Sequence, residues 1–225
     1  MLGFYDYTVV LTYMSVLSAF TGITLTIAGH PILATLCLLF CGLCDMFDGK
    51  VARTKKTRTD DEKSFGIQID SLSDVIAFGV LPAVLTVTLC GGVWYSHVIA
   101  ALFVLAGLIR LAYFNVTEEL RQKETTECRK TYSGLPITAS ALIFPIFFCI
   151  ISIYCVASDT ITLFGVLFTR LPFRLALCAL MGATGLCFVL PFRIRKPRSR
   201  ELYLFLALGV LVAAVLLIVW LRRLG

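Results

Sequence analysis

Four aspartates carry the chemistry that this chain can do. Asp45 and Asp48 lie three residues apart, and Asp70 and Asp74 four apart, spacings that put each pair on one face of a helix. Both pairs border long apolar runs, where an ionisable side chain costs at least about 2.5–3.5 kcal/mol on insertion scales, so their placement points to function. Two helices joined by a polar loop bring the pairs to one depth. Four carboxylates within a few ångströms do not all stay ionised unaided, and either a cation or protonation must offset their repulsion. All-oxygen ligands favour a hard divalent ion, Mg²⁺ first and Mn²⁺ next, with Ca²⁺ admissible in the geometry. The plainer alternative is that the aspartates are only the solvated ends of two helices.

Small residues accompany the acids. Gly49 follows Asp45 by four, Ala52 follows Asp48 by four, and Gly66 precedes Asp70 by four, so each shares a helical face with a carboxylate. A ligand can approach the backbone closely there, as a nucleotide base or a diphosphate requires. Arg53 comes next in the chain and offers a bidentate donor to phosphate oxygens.

The elements that hold these residues are membrane helices. The chain has 225 residues, 59% hydrophobic and 15% charged, against roughly 45–50% and 25% in soluble domains. That composition excludes a soluble globular protein. Hydropathy places spans at about 8–28, 31–51, 70–90, 94–114, 135–156, 173–192 and 201–221, all helical because lipid offers no partners to backbone polar groups. They account for one integral-membrane catalytic domain over 1–225, with no room for a soluble one. No cleavable leader is expected, since residues 1–7 lack a basic segment and include Asp6.

Lys50, Arg53, Lys55, Lys56, Arg58 and Lys63 precede the third span; Arg121, Lys123, Arg129 and Lys130 follow the fourth; Arg193, Arg195, Lys196, Arg198 and Arg200 precede the seventh. These alternate loops share one side, the cytoplasmic one. Arg222 and Arg223 then fall outside, against the trend. The net charge of +6 is explained by topology and anionic lipid, so no nucleic-acid partner is expected. Thr8, Thr12, Ser15, Gly22 and Thr26 recur at helical spacing, a face packed on other helices. Nine cysteines, mostly in apolar runs, argue against a disulfide framework, and Cys41 and Cys44 read as packing residues.

The string C-D-M-F-D-G-K-V-A-R, twelve residues, then G-I-Q-I-D-S-L-S-D resembles the signature of the CDP-alcohol phosphatidyltransferases, D-x-x-D-G-x-x-A-R…G-x-x-x-D-x-x-x-D. Eight fixed positions match: Asp45, Asp48, Gly49, Ala52, Arg53, Gly66, Asp70 and Asp74. The gap between Arg53 and Gly66 is longer than usual, and the extra T-R-T-D-D-E is expected only to lengthen a cytoplasmic loop. D-S-L-S-D-V-I-A-F-G-V-L-P-A, I-R-L-A-Y-F-N at 109–115 and S-G-L-P-I-T at 133–138 are similar to phosphatidylserine synthases of the multi-pass type. The resemblance covers about 35–150; the Pro-Asn usual near the start of the first span is absent.

The resemblance implies an all-α polytopic bundle, a six-helix core with an extra C-terminal span, and transfer of a phosphatidyl group from CDP-diacylglycerol to L-serine with release of CMP. It implies two divalent ions held among Asp45, Asp48, Asp70 and Asp74, with Asp74 as general base, and a CDP site at Asp48, Gly49, Ala52, Arg53 and Gly66. A homodimer in a prokaryotic plasma membrane, its site facing the cytoplasm, is also implied. Serine brings a carboxylate that needs a cation, and Arg110, Arg129, Lys130 and Tyr132 are the candidates. Arg110 stands about one turn inside the cytoplasmic end of the fourth span, where the alternative is snorkelling to the interface. Other acceptors, an inositol phosphate or glycerol phosphate, stay open. A divalent-cation transporter needs carboxylates spread through the membrane depth, whereas these cluster at one end.

Overall fold

The computed structural model describes residues 3, 6–52, 54, 55, 57, 59–124, 131–157, 170–195 and 199–224. A 3₁₀ turn, Tyr7–Val9, leads into α1 (Val10–Ile27), and a short turn joins it to α2 (Pro31–Ala52). Next, α3 (Asp60–Asp74) runs through a π-helical stretch, Val75–Val80, into α4 (Leu81–Leu89) as one rod. After it come α5 (Trp94–Glu124), α6 (Ser140–Ala157), α7 (Leu171–Val189) and α8 (Ser199–Leu224). Counting α3–α4 once, seven helices among the described residues are long and apolar enough to cross a membrane. The chain is a polytopic helical bundle, and α8 packs on α2 and α6 as part of it.

The expected small-residue face of α1 is turned inward. Thr8, Thr12, Ser15, Gly22 and Thr26 are all buried. Because lipid tails are as apolar as leucine, helices associate through close packing and polar links rather than through expulsion of water. Ser18 donates to the Cys37 carbonyl at 3.1 Å, and the Cys41 thiol to the Ser15 carbonyl at 3.3 Å, which ties α1 to α2. Cys41 and Cys44 are buried packing residues, as their surroundings in sequence imply. Deeper in the bundle, Phe103 meets Phe144 edge-on at 5.7 Å and Phe188 at 5.3 Å.

Two helices are longer than hydropathy predicts. The third begins at Asp60 rather than near 70, because Thr59 accepts from the Glu62 N–H at 3.2 Å while the Glu62 carboxylate accepts from the Thr59 N–H at 2.9 Å. This capping box satisfies donors that a helix start leaves open. Half of T-R-T-D-D-E is therefore helix, not loop. The fourth runs on to Glu124, its polar end carrying an ion pair one turn long between Arg121 and Glu118 at 2.6 Å.

Hydropathy also gave no sign of a small ribbon, β1 (Thr131–Ser133) paired antiparallel with β2 (Arg193–Arg195). Beside it, Gly134 donates to the Phe192 carbonyl at 2.7 Å and Leu135 to the Cys187 carbonyl at 3.0 Å. Cys187 lies in the last turn of α7, where carbonyls lack helical partners. Only glycine suits this corner: φ is +73°, and an added Cβ would stand 2.8 Å from the Phe188 carbonyl oxygen. The S-G-L-P segment is thus a pin between the α5–α6 connection and the end of α7.

Candidate functional site

The last two turns of α2 and the length of α3 assemble the acidic centre. About nineteen residues separate Asp70 from Leu89 at the far end of the rod, which at about 1.5 Å each is close to the thickness of a hydrocarbon core. The aspartates therefore sit near one membrane boundary. The π stretch after Asp74 inserts one residue, about 100° of rotation. That lets α3 turn its acids toward α2 while Ala77, Phe78 and Leu81 stay buried in the core. Ser73 donates to the Thr12 carbonyl at 3.4 Å and Asn115 to Ser71 Oγ at 2.8 Å, fixing α3 to α1 and α5 on either side of the acidic face.

Carboxylate oxygens of Asp45, Asp70 and Asp74 lie within 4.8 Å of one another. Asp48 and Asp70 line one cavity. Asp74 is buried, and the other three are half-buried. Of the four acids singled out in the sequence, three converge, and the fourth, Asp48, lines the adjoining cavity with Asp70. Three convergent oxygen donors, with no sulfur or nitrogen among them, fit a hard divalent ion rather than zinc or copper.

A cavity of about 270 Å³ opens beside them, lined by Asp48, Gly49, Ala52, Gly66 and Asp70. A Cβ built on Gly49 meets nothing within 4 Å. No protein neighbour demands glycine there, but a ligand pressed against the backbone would. Gly49→Leu should keep the fold and raise the KM for the nucleotide-bearing substrate about tenfold, the equivalent of about 1.4 kcal/mol. An unchanged KM would remove Gly49 from the ligand surface.

Thr8, Thr12 and Lys63 also line the cavity, and sequence reading did not place them in a site. The two threonines were legible only as a packing stripe; Lys63, three residues before Gly66, shares its helical face and was within reach of the same argument. Between the N-terminal turn and the α2–α3 connection, Lys55 bridges Asp6 at 2.9 Å and Glu62 at 3.2 Å, and the Tyr7 hydroxyl meets Thr54 Oγ1 at 3.0 Å. The Lys55 hydrogen bond holds the Asp6 carboxyl below its ordinary range. This tie is therefore complete at neutral pH and is lost as acidification passes through the lowered Asp6 value.

Arg110 is 6% exposed, which rules out snorkelling. Its Nε donates to the Leu135 carbonyl at 3.1 Å, and its guanidinium lies 5.4 Å from the Phe114 ring centre. The helix continues beyond the span to Glu124. By depth it is level with Asp74, each about fifteen residues from the Leu89–Trp94 turn. It is not among the residues that line the cavity. Tyr132 pairs with Ile194 in the ribbon. Arg53, Arg129 and Lys130 lie outside the described residues.

A family model described as CDP-alcohol phosphatidyltransferase matches residues 7–220. The chain belongs to the CDP-alcohol phosphatidyltransferase family. The CDP-diacylglycerol–serine O-phosphatidyltransferase of Saccharomyces cerevisiae is 33% identical over 150 residues, 61% of this chain and 53% of the yeast protein. Archaetidylserine synthase of Methanothermobacter thermautotrophicus is 38% identical over 133 residues, 59% of this chain and 53% of its own. The CDP-diacylglycerol–serine O-phosphatidyltransferase of Methanocaldococcus jannaschii is 33% identical over 162 residues, 69% and 68% respectively. The chain spans about half the length of the first two relatives. The family match embraces every helix that builds the acidic centre.

Proposed function

We propose that this chain transfers a phosphatidyl group from CDP-diacylglycerol to the hydroxyl of L-serine, giving phosphatidylserine and CMP, and that it acts as a single integral-membrane catalytic domain. The observation that carries the reading is the convergence of Asp45, Asp70 and Asp74 within 4.8 Å beside a cavity floored by Asp48 and Asp70 and walled by Gly49, Ala52 and Gly66. The names of the three relatives support serine as acceptor.

Phosphoryl transfer is mostly positioning and charge neutralisation. Asp45, Asp48 and Asp70 would hold Mg²⁺ or Mn²⁺, two ions in all, with Asp74 an added contact to one of them, and bound metal supplies positive charge to the diphosphate. Gly49, Ala52 and Gly66 admit the nucleotide against the helix backbones, and Arg53 donates to phosphate oxygens. Asp74 takes the proton of the serine hydroxyl as its oxygen bonds to the phosphatidyl phosphorus, and the bond from that phosphorus to the CMP oxygen breaks. No side chain nucleophile is needed. The lipid tails enter sideways from the bilayer, so the chemistry takes place at the boundary where the aspartates lie. The enzyme works as a homodimer in a prokaryotic plasma membrane with this boundary toward the cytoplasm, the side that the basic loops favour.

The serine carboxylate falls to Arg110, with Arg129, Lys130 and Tyr132 contributing from the α5–α6 connection. Burial and a depth equal to that of Asp74 favour Arg110. Arg110→Ala should raise the KM for serine about tenfold or more while the KM for CDP-diacylglycerol moves less than twofold, a loss in keeping with about 1.5–3 kcal/mol for a charge-assisted hydrogen bond. An unchanged serine KM would take Arg110 out of the acceptor site. The reading as a whole is tested by supplying CDP-diacylglycerol with serine, glycerol phosphate or an inositol phosphate and measuring CMP. Release with serine alone supports it; release with either phosphate ester and not serine overturns the acceptor.

A further inference from the structure

The cavity wall carries a cation that the family motif does not account for. Lys63 lines it together with Asp48, Gly49, Ala52, Gly66 and Asp70. On α3, Lys63, Gly66 and Asp70 stand at intervals of three and four, one face of the helix. At about 1.5 Å per residue, Lys63 is about 10 Å from Asp70 along the axis and about 4.5 Å beyond Gly66. On α2, Ala52 is displaced from Asp48 in the same outward sense, by about 6 Å. The cavity therefore has carboxylates at its floor, small residues midway and Lys63 at its rim, its ammonium one turn further out on Asp60.

With the diphosphate at the aspartates, as the proposed function has it, that offset is the reach of a nucleoside from its phosphate to the far edge of its base. Lys63 is free to meet that edge at little cost. Its ion pair with Asp60, 2.9 Å long, joins side chains that are 57% and 97% exposed, and pairs so exposed contribute almost nothing. An ammonium has three donors and no acceptor. Cytosine turns two adjacent acceptors, N3 and O2, to its pairing edge; uracil replaces the first with an N–H. A cation at the rim satisfies the cytosine edge and is opposed by the uracil one.

We propose that Lys63 reads the base of the nucleotide, donating to N3 and O2 of cytosine, and so sets the preference for cytidine over uridine nucleotides. The inference rests on the CDP-alcohol reading above and goes beyond it in naming the residue that selects the base.

The test uses the full-length protein in detergent micelles, with CMP and UMP as competitors of CDP-diacylglycerol. The wild type is expected to bind CMP more tightly than UMP. Lys63→Met should weaken CMP about tenfold, leave UMP and the serine KM unchanged and so erase the preference. Lys63→Gln, which keeps a donor, should restore part of it, and Asp60→Asn should change neither nucleotide. Equal weakening of CMP and UMP marks a phosphate contact and overturns the proposal, as does a Lys63→Met protein that still discriminates, or a wild type that never did. A wild type that neither turns over CDP-diacylglycerol nor binds CMP removes the underlying function as well. A wild type that discriminates, beside a Lys63→Met protein that discriminates equally well, removes only the role of Lys63.

Discussion

Asp70→Asn should lower CMP release about a thousandfold at ordinary Mg²⁺ or Mn²⁺ concentrations, and part of that loss should return as the metal concentration is raised. Asp70 is the hub of the cluster. Its carboxylate is within 4.8 Å of Asp45 and Asp74, and it lines the cavity together with Asp48. Asparagine keeps the shape and one neutral oxygen but removes an anionic ligand, and several kcal/mol of charge stabilisation at a phosphoryl centre correspond to about three powers of ten in rate. Weaker metal affinity is recovered by mass action, whereas a misfolded protein is not. The measurement is the metal dependence of initial rate for the variant beside the wild type. Full activity at low metal would dissolve the proposed centre, and loss with no metal dependence would mean that Asp70 supports structure alone.

The acids were legible because membrane insertion makes their cost explicit: nothing cheap explains Asp45, Asp48, Asp70 and Asp74 at helical intervals beside apolar runs. All seven spans were legible for the same reason. What escaped was set by contacts that hydropathy does not weigh. The start of α3 depends on reciprocal bonds between Thr59 and Glu62, which a window average scores only as polar. The ribbon joining Thr131–Ser133 to Arg193–Arg195 is three residues on each side, too short for an alternating pattern to register.

Arg110 shows a subtler limit. Its place in an apolar run was visible, but its bond to Leu135, twenty-five positions away, follows from how Gly134 pins the chain to the end of α7. Lys63 was overlooked for yet another reason. It lies in a segment rich in charge, where a lysine reads as solvated surface until the opposite wall of a cavity is seen.

Asp74→Asn separates the two roles proposed for one carboxylate. Asp74 shares the three-acid cluster and is also its most enclosed member, 8% exposed, where the π stretch begins. A general base contributes about 10²–10⁴ in rate, so the variant is expected to lose kcat by about a thousandfold. The KM for CDP-diacylglycerol and the metal concentration giving half-maximal rate should stay within about threefold of wild type, because Asp45, Asp48 and Asp70 still hold the nucleotide end of the substrate. Raising Mn²⁺ should restore nothing, in contrast to Asp70→Asn. A metal requirement shifted as far as in Asp70→Asn would make Asp74 a principal ligand and not the proton acceptor, and the base would have to be sought elsewhere near the serine hydroxyl. The two variants differ by one turn of α3, so opposite metal responses would resolve along that turn where ion binding ends and proton transfer begins.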